Sequence, residues 1–182
     1  MGTRTLLLVR HGEYALEDGG RLTPTGREQA AVTGRWIAAQ GMPVAALWSS
    51  TLVRARQTAT ILSSAIGEPK VRAVGVLREG MYTKVKGWND VTEEEQEEDR
   101  ARGDRAFSQF FKTSRTDRLE VVVCHGNLIR YFVCRALKVP IVRWTRMNSS
   151  HCALTRILIR DTGAIRVVSY NETAHLPPKL VT

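Results

Sequence analysis

The chain has 182 residues, of which 43% are apolar and 25% are charged. This balance fits one globular domain over residues 1–182 and excludes intrinsic disorder, collagen-like repeats and a coiled coil. The formal net charge is +9, although six of the 18 acidic residues lie between Glu93 and Asp99. The remainder of the chain is therefore strongly basic, which favours an anionic partner such as a phosphate ester, an acidic protein segment, nucleic acid or anionic lipid.

The sequence predicts no membrane span and no signal peptide. The apolar run near the start, Leu6–Val9, is far too short to cross a bilayer and is interrupted at once by Arg10 and His11. The three cysteines form no C-x-x-C pair and cannot all be joined in disulfides: they are Cys124, Cys134 and Cys152. A reducing compartment is therefore expected, and the cytoplasm if the chain is complete as given.

Short apolar runs alternate with helical patterns along the chain, which is typical of an α/β fold. The predicted strands are, in order, Leu6–Val9, Ala45–Trp48, Val71–Val74, Leu119–Val123 and an edge hairpin of Ala153–Ile159 with Ile165–Ser169. The predicted helices run from Thr25 to near Gly41, from Ser50 or Thr51 to Ile66, from Glu93 to Phe111 and from Asn127 to Leu137. We expect a three-layer α/β/α sandwich around a mainly parallel sheet with an antiparallel edge strand.

Two of these helices carry start signals. Thr25 and Glu28 have the spacing of a capping box, and Ser50 or Thr51 would cap the second helix. The acidic residues 93–99 suit the positive end of a helix dipole, so we interpret them as a solvated helix start.

Two segments share one pattern, an apolar strand followed by His-Gly. His11-Gly12 comes after Arg10, and His125-Gly126 comes after Cys124. Ligands of open α/β sheets bind beyond the carboxyl ends of the strands, so both imidazoles should emerge at one edge and meet if their strands are neighbours. Glycine allows close approach of the backbone to a ligand, and the amides at a following helix start suit an anion.

Three further side chains belong to the same predicted edge. Arg54 lies in the first turn of the helix after the second strand, and Arg10 and Arg54 can bind phosphate oxygens with planar guanidinium groups. Glu79 follows the third strand. A carboxylate beside an anion is unfavourable unless it is protonated, as a general acid would be, and Glu13 is the alternative candidate for that role.

Four ordered motifs resemble those of the histidine phosphatase (phosphoglycerate mutase-like) superfamily and cover almost the whole chain. They are Arg10-His11-Gly12-Glu13, Leu22 to Ala30, Ser50 to Ala55 and Cys124-His125-Gly126. Three further segments resemble the mitochondrial serine/threonine-protein phosphatases of that superfamily: Val76 to Gly80, Asn127 to Leu137 and Pro177-Pro178-Lys179. The resemblance implies a mitochondrial location and one histidine phosphatase domain over 1–182, and it leaves a homo-oligomer open.

The resemblance also implies a phosphomonoesterase that needs neither a metal ion nor a cofactor and acts on phosphoserine or phosphothreonine of proteins. His11 would attack phosphorus as a neutral imidazole and form a phosphohistidine that water hydrolyses. Phosphate binding would fall to Arg10, Arg54, His125 and Gly126. His125 would also donate a hydrogen bond to the transferring group, while Glu79 would protonate the leaving oxygen and then activate water.

Several alternatives stay open. A small-metabolite phosphatase or a phosphoglycerate mutase shares the same core, although the short stretch from Gly80 to Asn89 favours an open, hydrolytic pocket. Cys124 and Arg130 fit the C-x5-R spacing of cysteine-dependent phosphatases. A basic anion-binding module without catalysis is the alternative from another class, but no nucleic-acid motif is present. His151 and His175 stand apart from the His-Gly segments, and structural roles are expected for both.

Overall fold

The computed structural model describes residues 2–85 and 91–182. The strands of these residues are, in chain order, β1 (Thr3–Arg10), β2 (Tyr14–Ala15), β3 (Arg21–Leu22), β4 (Val44–Ser50), β5 (Val71–Val74), β6 (Arg118–Cys124), β7 (Leu154–Arg160) and β8 (Ile165–Glu172). Six of them form one sheet in the order β5-β4-β6-β1-β7-β8, and β2 pairs with β3. Each predicted strand is found, and most of them are longer by a residue or more than the apolar run that predicted them.

The sheet is mainly parallel, as predicted. Strands β5, β4, β6 and β1 are joined by parallel pairings, whereas β7 runs antiparallel to both β1 and β8. The predicted hairpin of β7 and β8 therefore forms the antiparallel edge. Strands β1 and β6 are direct neighbours with Arg10 opposite Cys124, so the residues that follow them start from the same point of one sheet edge.

Four helices complete the layers: α1 (Pro24–Ala39), α2 (Val53–Ala65), α3 (Glu93–Phe110) and α4 (Gly126–Leu137). Alternate residues of β1 serve two separate cores, because side chains along a strand alternate between its faces. Leu7 belongs to the core with residues of α1 and α2. Leu8 belongs to the core with residues of α3 and α4. The predicted α/β/α sandwich is confirmed.

Two predicted helix starts are wrong by a few residues. The N-cap of α1 is Thr23, whose hydroxyl accepts from the Gly26 N–H, and not Thr25. Pro24 occupies the first helical position, where the missing N–H costs nothing. The N-cap of α2 is Leu52, whose apolar side chain makes no cap. Ser50 instead ends β4, and its hydroxyl lies 2.8 Å from the His125 ring. At α3, the N-cap Thr92 forms a capping box with Glu95 of the expected acidic first turn.

The short stretch from Gly80 to Asn89, which is expected to leave the pocket open, lies partly outside the described residues. Near its start, Met81 and Tyr82 are buried and pack onto the protein, whereas Lys84 is exposed. Within residues 2–85 and 91–182, no helix has the length and apolarity that crossing a membrane requires.

Candidate active site

The two His-Gly segments meet at the edge where β1 and β6 end. The His11 N–H donates to the Cys124 carbonyl at 3.0 Å, which continues the pairing of the two strands by one residue. The imidazole rings of His11 and His125 lie with their centroids 5.0 Å apart, and both side chains are buried. Two residues separated by more than a hundred positions thus share one small site because their strands are parallel neighbours.

The hydrogen bonds of His11 fix which of its ring nitrogens carries the proton. Nδ1 lies 2.8 Å from the Gly12 carbonyl oxygen, and a carbonyl only accepts, so Nδ1 is the protonated nitrogen. Nε2 is therefore unprotonated, and its lone pair accepts a hydrogen bond from Arg54 Nε at 3.1 Å. The pKa of His11 lies well below its usual value because of burial and the neighbouring His125 and arginines. His11 is thus a neutral imidazole whose Nε2 carries the ring's lone pair.

The hydrogen bonds of His125 favour the same tautomer, with the proton on Nδ1. Its Nε2 lies 2.8 Å from the Ser50 hydroxyl, and that hydroxyl already accepts from the Leu52 N–H at 3.3 Å. The Ser50 hydrogen is then available to donate to Nε2, which leaves the ring proton of His125 on Nδ1. Nδ1 is buried and has no hydrogen-bond partner among the described residues. Burial, with help from Arg54 and Arg10, lowers the pKa of His125 to about 3, so it is a neutral donor.

Two arginines flank the imidazoles. Arg10 donates through Nη1 to the Ser149 carbonyl, while its buried Nε has no partner within the described part of the chain. The Arg54 guanidinium lies over the Tyr14 ring, 4.5 Å from its centroid. Since an unpaired buried N–H is costly, donors such as Arg10 Nε and His125 Nδ1 indicate a place for an acceptor.

Gly126 allows the start of α4 to approach these groups. A Cβ at this position would lie 3.2 Å from the Ser149 Oγ, tighter than ordinary van der Waals contact, and 3.4 Å from the Arg10 Nε, at the limit of it. The first amides of a helix point along its axis without intrahelical partners, and they favour an anion. The predicted phosphate-binding residues Arg10, Arg54, His125 and Gly126 thus lie around one point.

Glu79 stands beside the arginines with an altered proton affinity. Burial raises the pKa of Glu79 to about 7, against the opposing effects of the Gly80 N–H and Arg10. The Gly80 N–H donates to the Glu79 carboxylate at 3.3 Å, and Arg102 donates to its backbone carbonyl at 2.8 Å. A carboxyl group that is about half protonated near neutral pH can both give and take a proton.

The alternative acid, Glu13, is engaged elsewhere. Its carboxylate accepts from the Thr23 hydroxyl at 2.7 Å, and its backbone N–H donates to the Gln29 side chain at 2.8 Å. These contacts tie the loop after His11 to the start of α1. The geometry therefore favours Glu79 for proton transfer and gives Glu13 a role in fixing the loop.

Sequence reasoning missed His151. Its ring centroid lies 5.6 Å from that of His11, so the expectation that it stands apart from the His-Gly segments is wrong. The signal lay in the hairpin: β7 is antiparallel to β1, with Val9 opposite Leu154, so the residues just before β7 lie where β1 ends. His175 has the expected structural role, because its Nε2 bonds to the Thr33 hydroxyl at 2.9 Å and its ring lies near Trp36.

The cysteine-dependent alternative does not fit the geometry. Cys124 is fully buried in a hydrophobic core, and burial raises the pKa of its thiol well above the usual value, whereas a nucleophilic cysteine needs a lowered one. The Arg130 guanidinium donates to the Gly126 and Met147 carbonyls instead of reaching toward Cys124.

Within the described part of the chain, no three His, Cys, Asp or Glu side chains are grouped so that they could hold a metal ion.

Comparison with known proteins identifies the family. The sequence model of the histidine phosphatase superfamily, branch 1, matches residues 6–109 and 89–173. The chain belongs to this superfamily. It is 37% identical over 190 residues to the mitochondrial serine/threonine-protein phosphatase Pgam5 of Caenorhabditis elegans, and 34% identical over 193 residues to human PGAM5, which has the same description. Both alignments cover 99% of this chain and 66% of the relative, so the chain spans about two thirds of their length.

A solved structure agrees with this placement. The phosphoglycerate mutase of Plasmodium falciparum superposes with a TM-score of 0.71 and 27% identity, covering 97% of this chain and 96% of the mutase. The histidine phosphatase fold is therefore shared over nearly the whole described chain. The same fold carries mutases and phosphatases, so the choice between them must come from the site and from experiment.

Proposed function

We propose that this chain is a phosphomonoesterase that transfers the phosphoryl group of its substrate to His11 and then to water. The observation that carries the proposal is the hydrogen bond between His11 Nδ1 and the Gly12 carbonyl. It directs the lone pair of Nε2 toward Arg54. In the same site, the buried donors Arg10 Nε and His125 Nδ1 have no partner among the described residues. A phosphoryl group supplies the acceptor oxygens for these donors and the phosphorus for the nucleophile.

In the first step, His11 Nε2 forms a bond to phosphorus while the bond from phosphorus to the alcohol oxygen breaks. The developing charge on the phosphoryl oxygens is stabilised by Arg10, Arg54 and the Nδ1–H of His125. The leaving alkoxide takes the proton of Glu79, whose pKa of about 7 keeps a sizeable protonated fraction at neutral pH.

In the second step, water attacks the phosphohistidine. The Glu79 carboxylate, now deprotonated, takes a proton from the water as the new oxygen–phosphorus bond forms and the nitrogen–phosphorus bond breaks. Inorganic phosphate leaves, and His11 returns to its neutral form. The protein's own cations provide the charge stabilisation that Mg²⁺ provides in kinases, so we expect turnover without added metal.

The favoured substrate is phosphoserine or phosphothreonine in proteins. This part of the proposal is supported by the named activity of the Caenorhabditis elegans and human relatives, and the word mitochondrial in those names supports a mitochondrial location. The basic excess of the chain outside residues 93–99 suits acidic phosphorylated segments. Phosphoglycerate mutase activity is the second candidate, because the Plasmodium falciparum enzyme shares the fold at 27% identity.

The reaction is tested with p-nitrophenyl phosphate in EDTA. We expect turnover by the wild-type chain and loss of about 10³-fold or more in His11→Ala, since the nucleophile is removed. Rapid acid-free quenching with a radiolabelled substrate should trap a phosphoenzyme that is labile to acid and stable to base. An acid-stable phosphoenzyme, or equal turnover by His11→Ala, would contradict the proposed nucleophile.

The substrate class is tested separately with a panel at equal concentrations. It compares phosphoserine and phosphothreonine peptides with 3-phosphoglycerate and sugar phosphates, following free phosphate and isomerised product. The proposal expects the highest kcat/KM for phosphopeptides. Isomerisation of 3-phosphoglycerate without phosphate release would assign the chain to the mutases.

A further inference from the structure

A third imidazole lies in this site, and neither the family motifs nor the proposed steps use it. The ring of His151 lies 5.6 Å from the His11 ring and 6.3 Å from the Tyr14 ring. Its Nε2 is buried and has no hydrogen-bond partner among the described residues. It thus shares with Arg10 Nε and His125 Nδ1 the property that indicates an acceptor in the site.

The proton of His151 can be placed by following its neighbours. The Gln29 side-chain oxygen accepts from the Glu13 N–H, which fixes the orientation of that amide. Its NH₂ group therefore donates, at 2.8 Å to the Leu180 carbonyl and at 2.9 Å to the Thr182 hydroxyl. The Thr182 oxygen is thus an acceptor toward Gln29, and its own hydrogen is available to a second partner.

That partner is His151. Its Nδ1 lies 3.0 Å from the Thr182 hydroxyl, and donation from Thr182 to Nδ1 places the ring proton of His151 on Nε2. A further bond fixes the pair, since the His151 backbone N–H donates to the Thr182 carbonyl at 2.8 Å. The arrangement parallels that of Ser50 and His125, where a hydroxyl that accepts from one N–H also donates to an imidazole.

We infer that His151 is a further phosphate-binding residue, which donates its Nε2–H to an oxygen of the transferring phosphoryl group, and that Thr182 is its positioning residue. Burial lowers the pKa of His151 to about 4, with Arg10 opposing protonation and a bond to the Thr182 backbone favouring it, so the ring stays neutral at physiological pH. The inference rests on the proposed function only in naming the anion as a phosphoryl group.

The test uses orthovanadate, which adopts the five-coordinate geometry of phosphoryl transfer, together with inorganic phosphate, both titrated by calorimetry. His151→Phe keeps the ring and removes the donor, whereas His151→Gln keeps a donor. A hydrogen bond to a charged group corresponds to roughly a tenfold to hundredfold change in affinity. We expect His151→Phe to weaken orthovanadate by that factor and to lower kcat/KM for p-nitrophenyl phosphate in parallel, and His151→Gln to recover most of both.

The positioning role has its own pair of variants. Thr182→Val removes the hydroxyl and should reproduce part of the loss, whereas Thr182→Ser keeps it and should behave like the wild type. His175→Phe is the histidine control, because the His175 ring bonds to the Thr33 hydroxyl and the Cys152 backbone and, among the described residues, not to the side chains around His11. Circular dichroism melting of each variant establishes that it is folded before affinities are compared.

Three results would overturn the inference. They are wild-type orthovanadate affinity in His151→Phe, equal weakening in His151→Phe and His151→Gln, and a wild-type chain that binds neither anion. Failure of the proposed function is a separate observation, since it would appear as absent turnover by the wild type while the orthovanadate affinities of the variants still judge His151.

Discussion

Arg54 donates a hydrogen bond from Nε to His11 Nε2 over 3.1 Å. The same guanidinium that is proposed to bind a phosphate oxygen thus contacts the nitrogen proposed to attack phosphorus. An imidazole beside a phosphate dianion tends to take up a proton and lose its nucleophilic lone pair. A neighbouring permanent cation opposes that protonation, because it disfavours a second positive charge.

Removal of this cation should therefore affect both binding and protonation. We expect Arg54→Ala to raise the pKa of His11 and to lower kcat/KM for p-nitrophenyl phosphate by about 10²- to 10³-fold, the usual effect of losing one preorganised donor to a transition-state oxygen. The rate is measured by steady-state kinetics and the protonation by NMR titration of the imidazole. Arg56→Ala is the matched control, because Arg56 lies two residues further on and is exposed. An unchanged pKa of His11 in Arg54→Ala would contradict this account.

The pH dependence should report Glu79. Its pKa of about 7 predicts that kcat/KM, where the protonated acid is needed, falls as pH rises through about 7. For a phosphoserine peptide, whose leaving alkoxide needs a proton, Glu79→Gln should lower kcat/KM by about 10²-fold or more and abolish that alkaline limb. Ionisation of the substrate affects both proteins alike and cancels in the ratio of their profiles. A limb that persists in Glu79→Gln would assign it to another group.

The same carboxyl group makes stability depend on pH. The pKa of Glu79 is raised in the folded protein from the usual 4.5 to about 7, so the folded state holds this proton more tightly than the unfolded state does. Its contribution to the free energy of unfolding is present below about pH 4.5 and is lost as pH rises through 7. Above pH 8, Glu79→Gln should thus be more stable than the wild type by about 1 to 2 kcal/mol, allowing for partial exposure. Denaturant unfolding at pH 5 and pH 8 measures the difference.

Ser50 should control the tautomer of His125. Ser50→Ala removes the donor to His125 Nε2, so the ring proton can move from Nδ1 to Nε2 and the site loses a donor. We expect kcat/KM to fall by roughly 10- to 100-fold, with a change in the ¹⁵N chemical shifts of the two ring nitrogens of His125. Ser49→Ala is the control on the same strand, because its hydroxyl donates only to the Ser50 carbonyl. An unshifted pair of nitrogen signals in Ser50→Ala would refute the assignment.

The sequence predicts the strands and their shared edge well because buried parallel strands are nearly continuous apolar runs. Leu6–Val9 and Leu119–Val123 are of this kind, and the residues that follow them meet as the strand-end rule requires. Side-chain contacts between residues that are far apart in the sequence cannot be predicted from local patterns in this way. Serine is a common helix N-cap, yet the Ser50 hydroxyl bonds to His125, which is 75 residues away. His151 lies in the site because β7 pairs antiparallel with β1.

Close packing of the loop after His11 against α1 gives the last prediction. A Cβ at Gly26 would lie 2.0 Å from the Glu13 carbonyl oxygen and 2.8 Å from its backbone nitrogen, so either the helix or the loop must move. We expect Gly26→Ala to destabilise the protein by about 1 to 3 kcal/mol and to lower kcat further than stability alone explains, because Glu13 lies two residues from His11. Gly75→Ala is the control, since nothing lies within 4 Å of a Cβ there, and it should leave both quantities nearly unchanged. Thermal melting and kcat per folded molecule distinguish the two effects, and a Gly26→Ala protein with wild-type values of both would show that the loop adapts without disturbing His11.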